Sequence, residues 1–299
     1  MIKKLFVAVG LIALAGLSAC EKEVNFDLGP SAEKVVVEGT IESGLPPYVL
    51  LSKSIGFFSR VDFSTLGNAF LHDAVITVSE GNRSFTLKEY SYDNNGVSFY
   101  VYSVDTGDFA ARNFTGEAGK NYDLKIEVNG KTYTSSTFIP RVKPLDSLWS
   151  ELPPPDKQSP DFPGMRQLFG SYTDPDTLGN RIRYYTRKNS EAYLPPYYSV
   201  YDDVIINGTR IQVQIDAGFN KMDTINRETF GYFYAGDTVT VKWSAIDKGV
   251  FDFWRTLEFS YGSTGNPFTT PVAVTSNISG GALGVWAGYG VSTSTIVIR

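Results

Sequence analysis

The sequence predicts an all-β fold built as two β-sandwich-like domains, the second carrying one short helix. Three observations predict it. From Lys34 onward, short runs rich in Val, Ile, Tyr and Phe are separated by Gly, Asn and Pro, the punctuation of strands and turns. Tyr122, Leu124, Ile126 and Val128 alternate with Asp123, Lys125 and Glu127 and lead into Asn129-Gly130, a half-buried strand that turns back on itself. A proline-dense stretch then separates two β-rich halves.

Taken in order, residues 1–19 read as a signal peptide. Lys3-Lys4 precede an apolar run from Leu5 to Leu17, and a helix through that run reaches only ~20 Å against the ~30 Å of a bilayer core. The run closes on Leu17-Ser18-Ala19-Cys20, with small residues at the scissile bond and a leucine three places before the cysteine, the pattern of a bacterial lipobox. Cys20 is the only cysteine, so acylation there leaves no thiol for a disulfide. Residues 20–33, polar and charged from Glu21-Lys22-Glu23 through Asp27, Gly29 and Pro30, form a tether.

The first domain is expected over 34–140. Val35–Val37, Tyr48–Leu51, Ala74–Val78 and Ser98–Tyr102 supply strands, with turns at Gly81-Asn82 and Asn95-Gly96, before the 122–138 hairpin. Residues 141–165 are expected to be a linker, because Pro144, Pro153-Pro154-Pro155, Pro160 and Pro163 withhold donors from any ladder; Leu145, Leu148 and Trp149 should pack it on a neighbour. The second domain, 166–299, begins with aromatic strands at Arg181–Arg187 and Tyr197–Tyr201. A two-residue turn at Asn207-Gly208 would then place Val204, Ile206, Ile211, Val213 and Ile215 on one face. Val239, Val241 and Trp243 alternate in the next strand. Asp247 can cap a helix whose Val250, Phe251, Trp254 and Leu257 recur at helical spacing, and Val291–Ile298 closes the chain as a strand.

The chain carries 27 basic and 32 acidic side chains, a net of −5, and loss of residues 1–19 removes Lys3 and Lys4 and no acid. Such a surface repels phosphate backbones, which argues against nucleic acid as a partner. His72 is the only histidine, so no multi-histidine metal site can form, and its place between Leu71 and Asp73 suits a surface or capping role. No phosphate-binding glycine loop, nucleophile elbow or CxxC is present, and no cofactor or metal is expected. Asp174-Pro175-Asp176 with Gly179 has the acid spacing of a calcium loop but lacks its distal bidentate Glu. The glycines at 280, 281, 284 and 288 read as backbone devices. Paired carboxylates, whose proximity a sequence does not display, leave glycan cleavage as one reading. Tyr184-Tyr185, Tyr193, Tyr197, Tyr198 and Tyr201, with Phe230, Tyr232 and Tyr234 on one strand face, are either core or a platform that stacks sugars or peptide side chains. Pro195-Pro196 break the strand beside Tyr197, Tyr198 and Tyr201, which would hold those three rings on a loop as candidate ligand contacts.

Val35-Val36-Val37-Glu38-Gly39, Asp73-Ala74-Val75, Gly119-Lys120-Asn121-Tyr122, Asn266-Pro267-Phe268 and Ser276-Asn277-Ile278-Ser279-Gly280-Gly281 together resemble an uncharacterised Bacteroidetes lipoprotein family, domain of unknown function 4249. Asp73–Val78, followed by a turn and Phe85, also resembles transthyretin/Ig-like sandwiches. Lys22-Glu23 resembles the signal that sends such lipoproteins to the outer leaflet. The family resemblance implies a lipid-anchored outer-membrane protein at the cell surface. It implies a partner in a TonB-dependent transporter and a role in capturing or passing nutrients, and it supplies no catalytic residue; the tyrosine platform would make the ligand a glycan or peptide. The expectation is therefore an accessory ligand-binding protein and not an enzyme. A structural or adhesion lipoprotein is the alternative, with a glycan-cleaving enzyme behind it.

Overall fold

Alternation and turn chemistry place the first sheet. The computed structural model describes residues 32–55, 65, 67–94, 97–221, 223–263, 270 and 272–299. Strand β1 spans Val35–Glu42, β2 Tyr48–Lys53, β3 Val75–Glu80, β4 Arg83–Thr86, β5 Lys88–Asn94 and β6 Val97–Ser103. A single-turn helix α1, Phe109–Arg112, follows, its Asp108 carboxylate accepting from the Ala110 and Ala111 N–H groups. Then come β7, Asn121–Val128, and β8, Lys131–Phe138. In β7 every second residue is buried, and Asn129 and Gly130 take φ of 50° and 70°, the left-handed pair that a two-residue hairpin needs. The order β4-β3-β7-β8 makes one four-stranded sheet. The Asn95-Gly96 turn and Asn266-Pro267-Phe268 lie outside the described residues.

The second half adds β9, Ser147–Glu151; β10, Met165–Thr173; β11, Arg181–Lys188; β12, Val200–Asp202; β13, Arg210–Ile215; β14, Phe233–Tyr234; and β15, Thr238–Ile246. Helix α2, Lys248–Ser263, precedes β16, Leu283–Val297. Strand β10 sits between β9 and β13, with β14 pairing its first residues. The remaining strands form one eight-stranded sheet, β12-β11-β15-β16-β1-β2-β6-β5.

That large sheet is covered three times. Val37, Ile41, Val49 and Leu51 meet Ile76, Val78, Leu124 and Ile126 of the first small sheet around Trp286. Tyr184, Val241 and Trp243 meet Leu168, Tyr172 and Phe233 of the second. On the opposite face, Val250, Phe251 and Phe253 of α2 pack on Val285, Ala287 and Tyr289. Strand β16, about 50 Å long at ~3.3 Å per residue, feeds all three, since Ile296 near its end packs against the second core.

The all-β sandwich expectation holds, but the large sheet crosses the boundary expected at 141–165. Strand β16 pairs in parallel with β1 from Val36↔Leu283 to Glu42↔Tyr289, and antiparallel with β15. Glu33–Arg299 forms one compact unit. The segment expected as a linker contributes β9 and the buried Leu145, and Trp149 stacks on Phe169 at 5.9 Å. Where the chain leaves β8 it runs across β16, so close that a Cβ on Gly290 would lie 1.9 Å from the Pro140 carbonyl oxygen. Gly280, Gly281 and Gly284 have positive φ.

Two further expectations change. Residues 204–206 are not a strand: Asp203 is drawn onto the Gly179 and Asn180 N–H groups, and residues 203–209 coil into successive turns. Val204 and Ile205 are consequently exposed, and β13 finds its partner in β10. Phe230 and Tyr232 precede the two-residue β14, so Phe230, Tyr232 and Tyr234 do not share a strand face.

Candidate functional site

Strand β11 places Ile182 and Tyr184 in the second core and turns Arg183 to the opposite face, beneath α2. Arg183 is 3% exposed. Its Nε donates to Ser199 Oγ at 3.1 Å, its Nη1 to Tyr289 Oη at 3.0 Å, and its guanidinium carbon lies 3.3 Å from the centre of the Trp254 ring. Trp254 Nε1 donates to the same tyrosine oxygen at 2.9 Å. From α2 comes Glu258, equally buried, accepting from the Ser199 N–H at 2.9 Å and from the Ser199 hydroxyl.

Ser199 thus joins a buried cation to a buried anion. Burial pushes the Glu258 carboxyl above its usual range, against the pull of the Ser199 donors and of Arg183 and Lys221. Breaking such a set leaves a charge uncompensated in the interior, so the network fixes α2 on the sheet.

Above this network lies a groove of about 520 Å³ between α2, the segment 272–275 and the chain entering β12. Tyr198, Val200, Arg255, Glu258, Phe259 and Val272 are among its walls. Tyr198 is 54% exposed and Phe259 49%, two large rings facing solvent beside buried polar groups. That combination of aromatic surface and a few fixed polar atoms is what small-ligand sites use.

The three tyrosines singled out by the sequence separate here. Tyr197 and Tyr198 meet edge to face at 4.9 Å in the irregular chain before β12. Tyr197 stacks on Phe219 and only Tyr198 lines the groove. Tyr201, in β12, stacks on the core ring of Tyr184 at 6.0 Å. Cys20, Lys22 and Glu23 lie outside the described residues. His72 is surface-placed, its Nδ1 2.5 Å from Glu89 Oε1 and its ring against Tyr100. Among the described residues no group of three or more His, Cys, Asp or Glu could hold a metal ion. Asp174 and Asp203 are occupied by backbone N–H groups of Gly208, Gly179 and Asn180.

Arg183, Ser199 and Glu258 escaped the sequence reading. One signal was present: Val250, Trp254 and Glu258 recur every fourth residue, so a charge sits on the apolar stripe of α2.

A family model described as Domain of unknown function (DUF4249) matches residues 21–295. The chain belongs to that family. No curated protein and no solved structure matches it. The DUF4249 match spans both sides of the 141–165 segment and ends inside β16, as the shared sheet leads one to expect. Among the described residues of this DUF4249 chain, no helix is long and apolar enough to cross a membrane, which leaves spanning by strands unaddressed.

Proposed function

We propose that this chain is a lipid-anchored accessory protein of the outer membrane that captures a glycan or peptide for a TonB-dependent transporter. The lipobox ending at Cys20 supports the anchor. The groove beside α2 carries the binding reading. Tyr198 and Phe259 offer rings on which a sugar face or an apolar side chain can stack, and Arg255 offers an exposed cation at the same wall.

Glycan cleavage has one observation on its side, since Glu258, whose carboxyl burial pushes above its usual range, shares the groove with Asp252. Both Glu258 oxygens, however, are engaged by Ser199, and Asp252 pairs with Lys248. Binding without turnover is the better fit.

The test is a screen of the mature protein against glycan and peptide arrays, followed by titration of each hit. Tyr198→Ala should weaken binding by about 1 to 3 kcal/mol with little change in melting temperature. Tyr92→Ala, which removes a ring 67% exposed on β5, should leave binding unchanged. Arrays without a hit, or equal loss from both variants, would remove the groove from the account.

A further inference from the structure

A second cleft, of about 330 Å³, opens at the N-terminal end of α2, where the chain leaving β8 passes the start of β11. Its walls carry four cations, Arg141, Lys143, Arg181 and Lys248. In a chain of net charge −5 this is not the background composition. The one acid on its walls, Asp247, has both oxygens engaged, one by the Val250 N–H and the other by the Thr137 hydroxyl and Phe138 N–H.

Lys143 and Lys248 pair with Asp146 and Asp252, but neither arginine has a carboxylate within ion-pair distance among the described residues. Arg181 spends one N–H on the Gly179 carbonyl at 2.8 Å, which leaves four donors. The positive end of the α2 dipole points to the same place. Pro140, Leu178 and Ile182 give the cleft apolar walls, which strengthen any charge interaction inside it.

We propose that this cleft binds a small molecule bearing an oxyanion, a carboxylate or a phosphate. Arginine's planar fork matches either group in a two-point contact, and the cleft's size admits a compound of a few carbons. It shares no wall residue with the Tyr198 groove, so the two sites stand or fall separately.

Calorimetric titration of the mature protein with inorganic phosphate and with citrate tests this, first at low ionic strength and then at about 0.15 M, where the screening length is ~8 Å. The expected result is saturable one-to-one binding of at least one probe, and the stronger of the two identifies the group. Arg141→Gln with Arg181→Gln should weaken it by about tenfold or more, with an unchanged far-ultraviolet spectrum. If that pair misfolds, Lys143→Gln with Lys248→Gln supplies the same comparison from the other two cations of the cleft. Lys88→Gln with Lys131→Gln removes the same charge from β5 and β8 and should change nothing. No saturation by either probe, or equal weakening by the cleft and control pairs, overturns the proposal.

Discussion

Replacing Asp247 by alanine should destabilise the fold by about 3 to 5 kcal/mol. Oδ1 caps α2 through the Val250 N–H at 2.9 Å, and loss of such a cap costs about 1 kcal/mol. Oδ2 accepts from Thr137 Oγ1 at 2.6 Å and from the Phe138 N–H at 2.9 Å, and bonds to a charged group contribute roughly 1.5 to 3 kcal/mol each. Thr137 is 2% exposed, so water does not readily replace its partner. The three bonds share one side chain, and their losses therefore add to less than the sum. Asp247→Asn keeps one oxygen for the cap but turns an N–H₂ toward two donors, and should cost about 2 to 3 kcal/mol. Urea melts followed by tryptophan fluorescence and far-ultraviolet dichroism read this out. Trp286 reports the first core and Trp243 the second. A loss under about 1 kcal/mol for alanine, or an asparagine variant weaker than the alanine one, would refute the reasoning.

Two further outcomes follow from buried charge and sheet continuity. Burial holds the Glu258 carboxyl above its ordinary value of 4.5, so the folded chain binds that proton more tightly than the unfolded one. The group's contribution is full below the ordinary value and is lost as pH rises through the raised one. Between pH 4 and pH 8 the wild type should lose stability relative to Glu258→Gln, and a difference independent of pH would contradict the assignment. Mild proteolysis should cut within 152–164, where Leu152 is 58% exposed and prolines keep the chain out of a ladder. Because β16 pairs with β1, the two fragments should still elute together in gel filtration; separate elution would mean the shared sheet is absent.

Local chemistry made much of this legible in sequence. The 121–138 hairpin follows from period-two alternation and Asn129-Gly130. Strand β15 follows from Val239, Val241 and Trp243, and the start of α2 from Asp247 and the spacing of Val250, Phe251 and Trp254. What escaped depends on partners distant in the chain. Nothing in Leu283–Val297 announces a parallel partner more than two hundred residues earlier, and the glycines that allow the crossing at Pro140 interrupt its pattern. Val204-Ile205-Ile206 has strand composition, but Asp203 finds better donors at Gly179 and Asn180 and winds the segment into turns. The tyrosines illustrate the same limit. Tyr197, Tyr198 and Tyr201 share a composition and a neighbourhood, yet Phe219, the groove and Tyr184 claim one each. The Arg183–Ser199–Glu258 set needs β11, the β12 entry and α2 together, and only the misplaced charge on the helix stripe hinted at it.

The most direct test of the functional account is affinity purification of the tagged, full-length protein from detergent-solubilised membranes, with the co-purifying proteins identified by mass spectrometry. The account predicts a TonB-dependent outer-membrane transporter in the wild-type eluate and its loss from Cys20→Ala, which has no acyl anchor. A membrane eluate without any transporter, or a Cys20→Ala protein that fractionates and co-purifies as the wild type does, would contradict it.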